Sequence, residues 1–119
     1  MLEARATAKY IRTSAQKAGL VLELIRGKSA SEALSILKFT KKSIARDVEK
    51  TLRSAIANAV LVADRNHSRR LDEEDLVVSA AYAGQGPSFK RIRPAPMGRA
   101  FRVIKRTAHL TVCVAEKEK

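Results

Sequence analysis

The stretch Gly84-Gln85-Gly86-Pro87-Ser88-Phe89-Lys90-Arg91-Ile92-Arg93-Pro94-Ala95-Pro96-Met97-Gly98-Arg99-Ala100 decides how the rest of the chain is read, because it holds three of the five Gly and all three Pro. Pro94 and Pro96 each lack a backbone donor and have a fixed φ, while Gly98 tolerates φ > 0, so the chain reverses within residues 94–98 and Met97 becomes a tip residue. Counting back from Pro94 to Ser79 gives an arm of about fifteen residues, roughly 50 Å when fully extended. That exceeds the width of a compact domain of this size, so the arm projects. A two-stranded ribbon is marginally stable alone in water, so its order depends on a partner.

Charge indicates what kind of partner. Residues 84–115 carry seven Lys plus Arg and no acid, so these 32 residues supply +7 and the remaining 87 supply the other +5 of a net +12. An excess of this size, with a pI near 10.5, points to a polyanion. Arg91, Arg93, Arg99, Arg102, Lys105 and Arg106 are mixed with Phe89, Ile92, Met97, Phe101, Val103 and Ile104 on a slender element without a core to cover. Guanidinium forks suit phosphates, and Phe89 or Phe101 suits an unstacked base. The competing reading is a disordered basic loop on a soluble domain, since structureless connections longer than about 12–15 residues are usually functional or disordered.

On either side of the arm the pattern is that of strands. Residues 107–115 place Leu110, Val112 and Val114 on one face and Thr111 and Cys113 on the other, the period of a half-buried strand. Residues 76–83, Leu-Val-Val-Ser-Ala-Ala-Tyr-Ala, fit helix or strand taken alone, and the matching strand across the arm favours strand. Residues 4–12, with Ala6, Ala8 and Tyr10 alternating against Arg5 and Lys9, add a third strand. Three helices complete the core. Residues 14–25 open on Thr13-Ser14-Ala15-Gln16, a capping-box pattern, carry Ala18, Val21, Leu22 and Ile25 at helical spacing, and stop at Gly27. A shorter helix follows Ser29-Ala30-Ser31-Glu32 with Ala33, Leu34 and Leu37, and ends before Phe39-Thr40. The longest begins after Thr40 and carries Ile44, Val48, Leu52, Ala55, Ile56, Ala59, Val60 and Ala63 on one apolar face.

The other face of that helix bears Arg46, Lys50 and Arg53, with Glu49 four residues before Arg53 as a helix-supporting pair; a solvated face and an RNA contact are both open for it. Residues 64–70, Asp-Arg-Asn-His-Ser-Arg-Arg, show no periodicity and read as a loop. Asp72-Glu73-Glu74-Asp75 concentrates four of the twelve acids and faces solvent or a basic neighbour, not phosphate. The fold class is therefore α+β, three helices packed on a small three-stranded antiparallel sheet with a long protruding β-hairpin at about residues 84–106. The 119 residues form one domain.

Several function classes are excluded. The longest apolar run, residues 59–63, is far below the roughly 20 residues of a membrane span. Met1-Leu2-Glu3-Ala4-Arg5 lacks the apolar block of a secretory signal. The lone Cys113 excludes an internal disulfide framework and reads as a small buried hydrophobe in its strand. His67 and His109 lie 42 positions apart without a ligand-like cluster around either, so no metal or cofactor is expected. No phosphate loop, nucleotide fingerprint or nucleophile elbow is present, which argues against an enzyme.

At Ala80-Ala81-Tyr82-Ala83-Gly84-Gln85-Gly86-Pro87, Lys90-Arg91, Arg93-Pro94, Met97-Gly98-Arg99-Ala100 and Lys105-Arg106-Thr107-Ala108-His109 the chain resembles the family of bacterial-type large-subunit ribosomal protein twenty-two. The likeness spans essentially the whole chain. It departs at two places, near Ala95-Pro96 and within Phe101-Arg102-Val103-Ile104, at each of which the family's pattern carries a further basic residue. The resemblance implies a globular part near the tunnel exit of the large subunit and a hairpin threaded inward through ribosomal RNA. By the same likeness Arg93, Pro94, Ala95, Pro96, Met97, Gly98 and Arg99 form the tunnel tip, and Lys90, Arg91, Arg102, Lys105 and Arg106 grip RNA along the arm. Arg5, Lys9, Arg12, Arg69, Arg70 and His109 join them as expected RNA contacts. The implied partners are large-subunit ribosomal RNA, neighbouring large-subunit proteins and the nascent peptide. Neither a membrane nor a second copy of the chain is implied, and the place is a cytoplasmic or organellar ribosome.

A different class of function would use the same arm. Basic β-ribbons ending in Pro enter the DNA minor groove in architectural proteins and kink the duplex. The single arm and the absence of an evident dimerisation seam weigh against that reading. An extraribosomal regulator that binds its own message would use the same surface and stays open.

Overall fold

The computed structural model describes residues 3–67, 73–94, 98 and 100–116. In chain order the elements are β1 (Glu3–Ile11), α1 (Ala15–Ile25), α2 (Ala30–Phe39), α3 (Ile44–His67), a 3-10 turn (Glu73–Asp75), β2 (Leu76–Gln85), β3 (Phe89–Pro94), β4 (Ala100–Lys105) and β5 (Ala108–Glu116). β1, β5 and β2 form a three-stranded antiparallel sheet in that order, and β3 pairs with β4 in a separate two-stranded ribbon. The expected α+β architecture is present.

One aliphatic core fills the space between helices and sheet. α1 contributes Ala18, Val21, Leu22 and Ile25, and α3 contributes Ile44, Val48, Leu52, Ala55, Ile56, Ala59 and Ala63. The inner face of the sheet supplies Leu76, Val78, Ala81, Leu110, Val112 and Val114. Val60 of the expected α3 face packs at the margin. Small residues on both sides, Ala4, Ala6 and Ala8 of β1 and Ala55, Ala59 and Ala63 of α3, suit close approach of a helix to a sheet without large side chains between them. Asn58 Nδ2 donates to the Arg5 carbonyl at 3.0 Å, fixing α3 along β1.

The caps explain where the helices begin. Ser29 Oγ accepts from Glu32 N–H at 3.3 Å, as its capping pattern predicts. For α1 the cap is Ser14, whose Oγ accepts from Lys17 N–H at 3.3 Å, and not Thr13 as the Thr13-Gln16 pattern suggests. Thr13 instead directs its hydroxyl to the Ser14 carbonyl. After α1, Gly27 takes φ +76°, a left-handed conformation that glycine adopts without steric cost. Its N–H donates to the Val78 carbonyl at 3.0 Å, and Val78 N–H donates to the Lys28 carbonyl at 2.9 Å. The α1–α2 connection thereby covers the outer edge of β2.

Four further local expectations are corrected. α3 runs on through His67, so Asp64, Arg65, Asn66 and His67 are helical rather than loop: backbone hydrogen bonding propagates past Ala63, where the apolar periodicity of the sequence ends. Tyr10 does not alternate with Ala6 and Ala8. The register shifts between Ala8 and Ile11, Tyr10 adopts φ 59°, and Ile11 takes the inward place. Cys113, on the outer face of β5, is half-buried and not a core hydrophobe. Its outer-face neighbour Thr111 is buried, because β5 is the central strand and Thr7 of β1 stands across from it, with hydroxyls 3.4 Å apart. Finally, the arm does not start at Ser79: β2 stays paired with β5 through Gln85↔Ala108, so about half of the expected fifteen residues belong to the sheet.

The molecule is nevertheless long. Its extents are 67 × 27 × 16 Å and its radius of gyration is 17.7 Å, against about 13.5 Å for a compact chain of this length. The core cluster includes no residue between Ala83 and Leu110 among those described.

Candidate nucleic-acid interface

The β3–β4 register turns the mixed composition of the arm into an ordered pattern. Phe89 stands opposite Lys105, Lys90 opposite Ile104, Arg91 opposite Val103, Ile92 opposite Arg102 and Arg93 opposite Phe101; Pro94 faces Ala100 at the end. Every rung but the last pairs one cation with one apolar residue. Two cations never stand directly opposite, a juxtaposition that would be destabilising, and successive rungs point to opposite faces of the ribbon. Both faces therefore carry charge and apolar surface, as suits an element surrounded by its partner. Ile92 is 75% exposed, and Phe89 and Ile104 are about half exposed. The Arg91 guanidinium lies 6.0 Å from the Phe89 ring centroid, at the outer limit of a cation–π contact.

At the root of the arm a cleft of about 760 Å³ opens between β4 and the start of α1. Arg12, Lys17, Lys105 and Arg106 line it, with Leu20 and Ile104 as its apolar wall. The amino end of α1 has no acid in its first turn, so helix N–H groups add to the positive potential of four side chains. Phosphate is the natural occupant of such a place.

Next to the cleft, Tyr10 and His109 form a unit. Tyr10 N–H donates to His109 Nδ1 at 3.1 Å, and the two rings meet edge to face, 5.0 Å between centroids at 87°. A bulky residue at positive φ is strained, and here the bulge turns the ring out of the core, to 61% exposure. Lys9 and Arg5 precede it on the exposed side of β1.

The sequence has counterparts among known proteins. The sequence matches the model of the family described as ribosomal protein L22p/L17e over residues 6–115. The chain belongs to this family. Three relatives carry the name large ribosomal subunit protein uL22. That of Solibacter usitatus is 50% identical over 117 residues, covering 98% of this chain and 99% of the relative. Those of Clostridium novyi and Clostridium tetani are each 47% identical, covering 98% of this chain and 99% and 100% of theirs.

Within the L22p/L17e fold, the residues expected from sequence to touch RNA fall into three groups. Lys90, Arg91, Lys105 and Arg106 are exposed on the arm and at its root, and Arg93 and Arg102 take their places in its register. Arg12 lines the root cleft, while Arg5, Lys9 and His109 belong to β1 and β5 beside it. Of the expected tip, Pro94 ends β3 and Gly98 has φ +73°, the left-handed conformation foreseen for the reversal. Ala95, Pro96, Met97 and Arg99 lie outside the described residues, as do Arg69 and Arg70. Lys17 was missed by sequence reasoning. It sits in the first turn of α1, where a cation opposes the helix dipole, and that unfavourable placement was the available clue. Among the described residues no group of three or more His, Cys, Asp or Glu could hold a metal ion, and no helix is long and apolar enough to cross a membrane.

Proposed function

We propose that this chain is a structural constituent of the large ribosomal subunit. It binds large-subunit ribosomal RNA through the arm, the cleft at its root and the neighbouring part of β1 and β5, and so supports subunit assembly in a cytoplasmic ribosome. Arg93, Pro94, Ala95, Pro96, Met97, Gly98 and Arg99 line the nascent-peptide tunnel at the tip, and neighbouring large-subunit proteins flank the globular part. The observation that carries the reading is the arm itself: a ribbon outside the core in which every rung but the last pairs a cation with an apolar residue. Membership of the L22p/L17e family and relatives named as large-subunit proteins support it.

The first test is sedimentation of tagged protein from a lysate in high salt. Persistent co-migration with large subunits is expected, whereas migration with chromosomal DNA or as free protein would overturn the reading. The second is the salt dependence of binding to purified large-subunit RNA. Replacing Arg91, Arg102 and Arg106 together with Gln should weaken binding and flatten the plot of log K against log salt by about one unit per lost phosphate contact, or about three in all. An unchanged slope would show that the arm is not the electrostatic anchor.

A further inference from the structure

A second basic surface, not part of the arm, lies at the turn between α2 and α3. α2 buries Ala30, Ala33, Leu34 and Leu37. Phe39 follows Leu37 by two positions, about 200° around a helix of 3.6 residues per turn, and is 81% exposed. The turn that presents it is ordered: Thr40 N–H donates to the Leu37 carbonyl at 3.3 Å, and Thr40 Oγ1 donates to the Ile36 carbonyl at 2.6 Å. Lys38, Lys41, Lys42 and Arg46 line an open cleft of about 450 Å³ at this turn. Glu49 also lines it, but its carboxylate accepts from Arg53 Nη2 at 3.0 Å and Nε at 3.2 Å, so its charge is already matched. Asp47 faces a different hollow, with Lys50, Ala8 and Ile11.

A single exposed aromatic residue is ordinary on a protein surface. An exposed ring held at an ordered turn, next in the chain to a cleft lined by four cations, is different, because it offers a stacking platform and phosphate partners close together. The same hollow places the first turns of α3 beside Ile11, the end of β1 that leads to Arg12 and the root cleft. The turn therefore continues the basic end of the molecule. We propose that the α2–α3 turn is a second RNA contact, at which Phe39 stacks on an unpaired base of the large-subunit RNA and Lys38, Lys41, Lys42 and Arg46 hold the adjoining phosphates. The proposal rests on the RNA-binding reading above and adds a site to it.

The chain has no Trp, so Phe39→Trp creates a sole reporter at an exposed position. Titrated with purified large-subunit RNA, its emission should be quenched in step with binding measured by filter retention. Phe39→Ala should weaken binding about 5- to 150-fold, the range for loss of one base–aromatic stack, and Phe39→Tyr should restore it. Replacing Lys38, Lys41 and Lys42 with Gln should lower the salt slope by about two to three units. Retention with unchanged emission and an unchanged slope would overturn the second contact and leave the arm reading intact. Emission that responds only in assembled subunits would mean that the turn meets a neighbouring protein, which also overturns it. No retention of the unaltered protein would overturn both readings.

Discussion

Gly86 sits where the sheet hands over to the arm, and the reason is the missing Cβ. A Cβ there would lie 2.6 Å from Thr107 Oγ1 and 3.2 Å from Cε1 and Nε2 of His109. Thr107 cannot retreat freely, since it is buried, its hydroxyl donates to the Pro87 carbonyl at 2.5 Å, and its own carbonyl accepts from Gly86 N–H at 2.9 Å. Gly86→Ala should therefore destabilise the fold by about 1–3 kcal/mol, the usual range for overpacking, read as a lower urea midpoint. An unchanged midpoint would mean that Thr107 and the His109 ring move aside at no cost. The same ring of His109 supports Tyr10, so the substitution should also disturb the outward-turned aromatic unit next to the root cleft. Sequence shows a glycine at position 86; it does not show which side chains crowd it, because Thr107 and His109 approach only once β2 and β5 are paired.

At the scale of elements, the helix starts offer a direct comparison. Ser14→Ala and Ser29→Ala should each cost about 1 kcal/mol of unfolding free energy, the typical loss of an N-cap. Thr13→Ala should cost less than about 0.5 kcal/mol, in the range of surface substitutions that break no special feature. Equal losses at Thr13 and Ser14 in urea titrations would contradict the assigned cap. Helix positions and faces were legible because 3.6-residue periodicity is local: Ile44, Val48, Leu52, Ala55, Ile56, Ala59 and Ala63 are all buried as the spacing requires. The outer strands were harder for a physical reason. β1 faces the core with Ala4, Ala6, Ala8 and then Ile11, and β2 with Leu76, Val78 and then Ala81 and Ala83. Each sequence skips a step at a register shift, between Ala8 and Ile11 and between Val78 and Ala80. A bulge inserts one residue and reverses the phase of alternation, so a two-residue period fails just where helix and strand had to be told apart. β5 carries no such shift inward of Leu110, and its alternation was legible at once.

For the whole molecule, charge and shape are arranged along the same axis. The strands place Glu3 at the start of β1 and Glu116 at the end of β5, with the Glu73–Asp75 turn leading into β2. The pairs Glu3↔Ala115 and Leu76↔Glu116 set these acids at one end of the sheet. Arg12, Lys17, Lys105 and Arg106 gather at the other. A field polarised in this way presents the arm first to a polyanion. The core stands apart from that task, which leads to the last prediction. Because Gln85 and Ala108 are paired, the segment between them can be replaced by Asn-Gly, a two-residue turn suited to closing a hairpin. The shortened protein should fold cooperatively, with a thermal midpoint within a few degrees of the parent, since the arm adds nothing to the described core. It should lose up to about six units of salt slope in RNA binding, because the excised segment holds seven Lys plus Arg and each phosphate contact contributes about 0.9. Loss of cooperative unfolding would show that the arm helps to build the core, and retention of the full slope would move the RNA-binding surface onto the globular part.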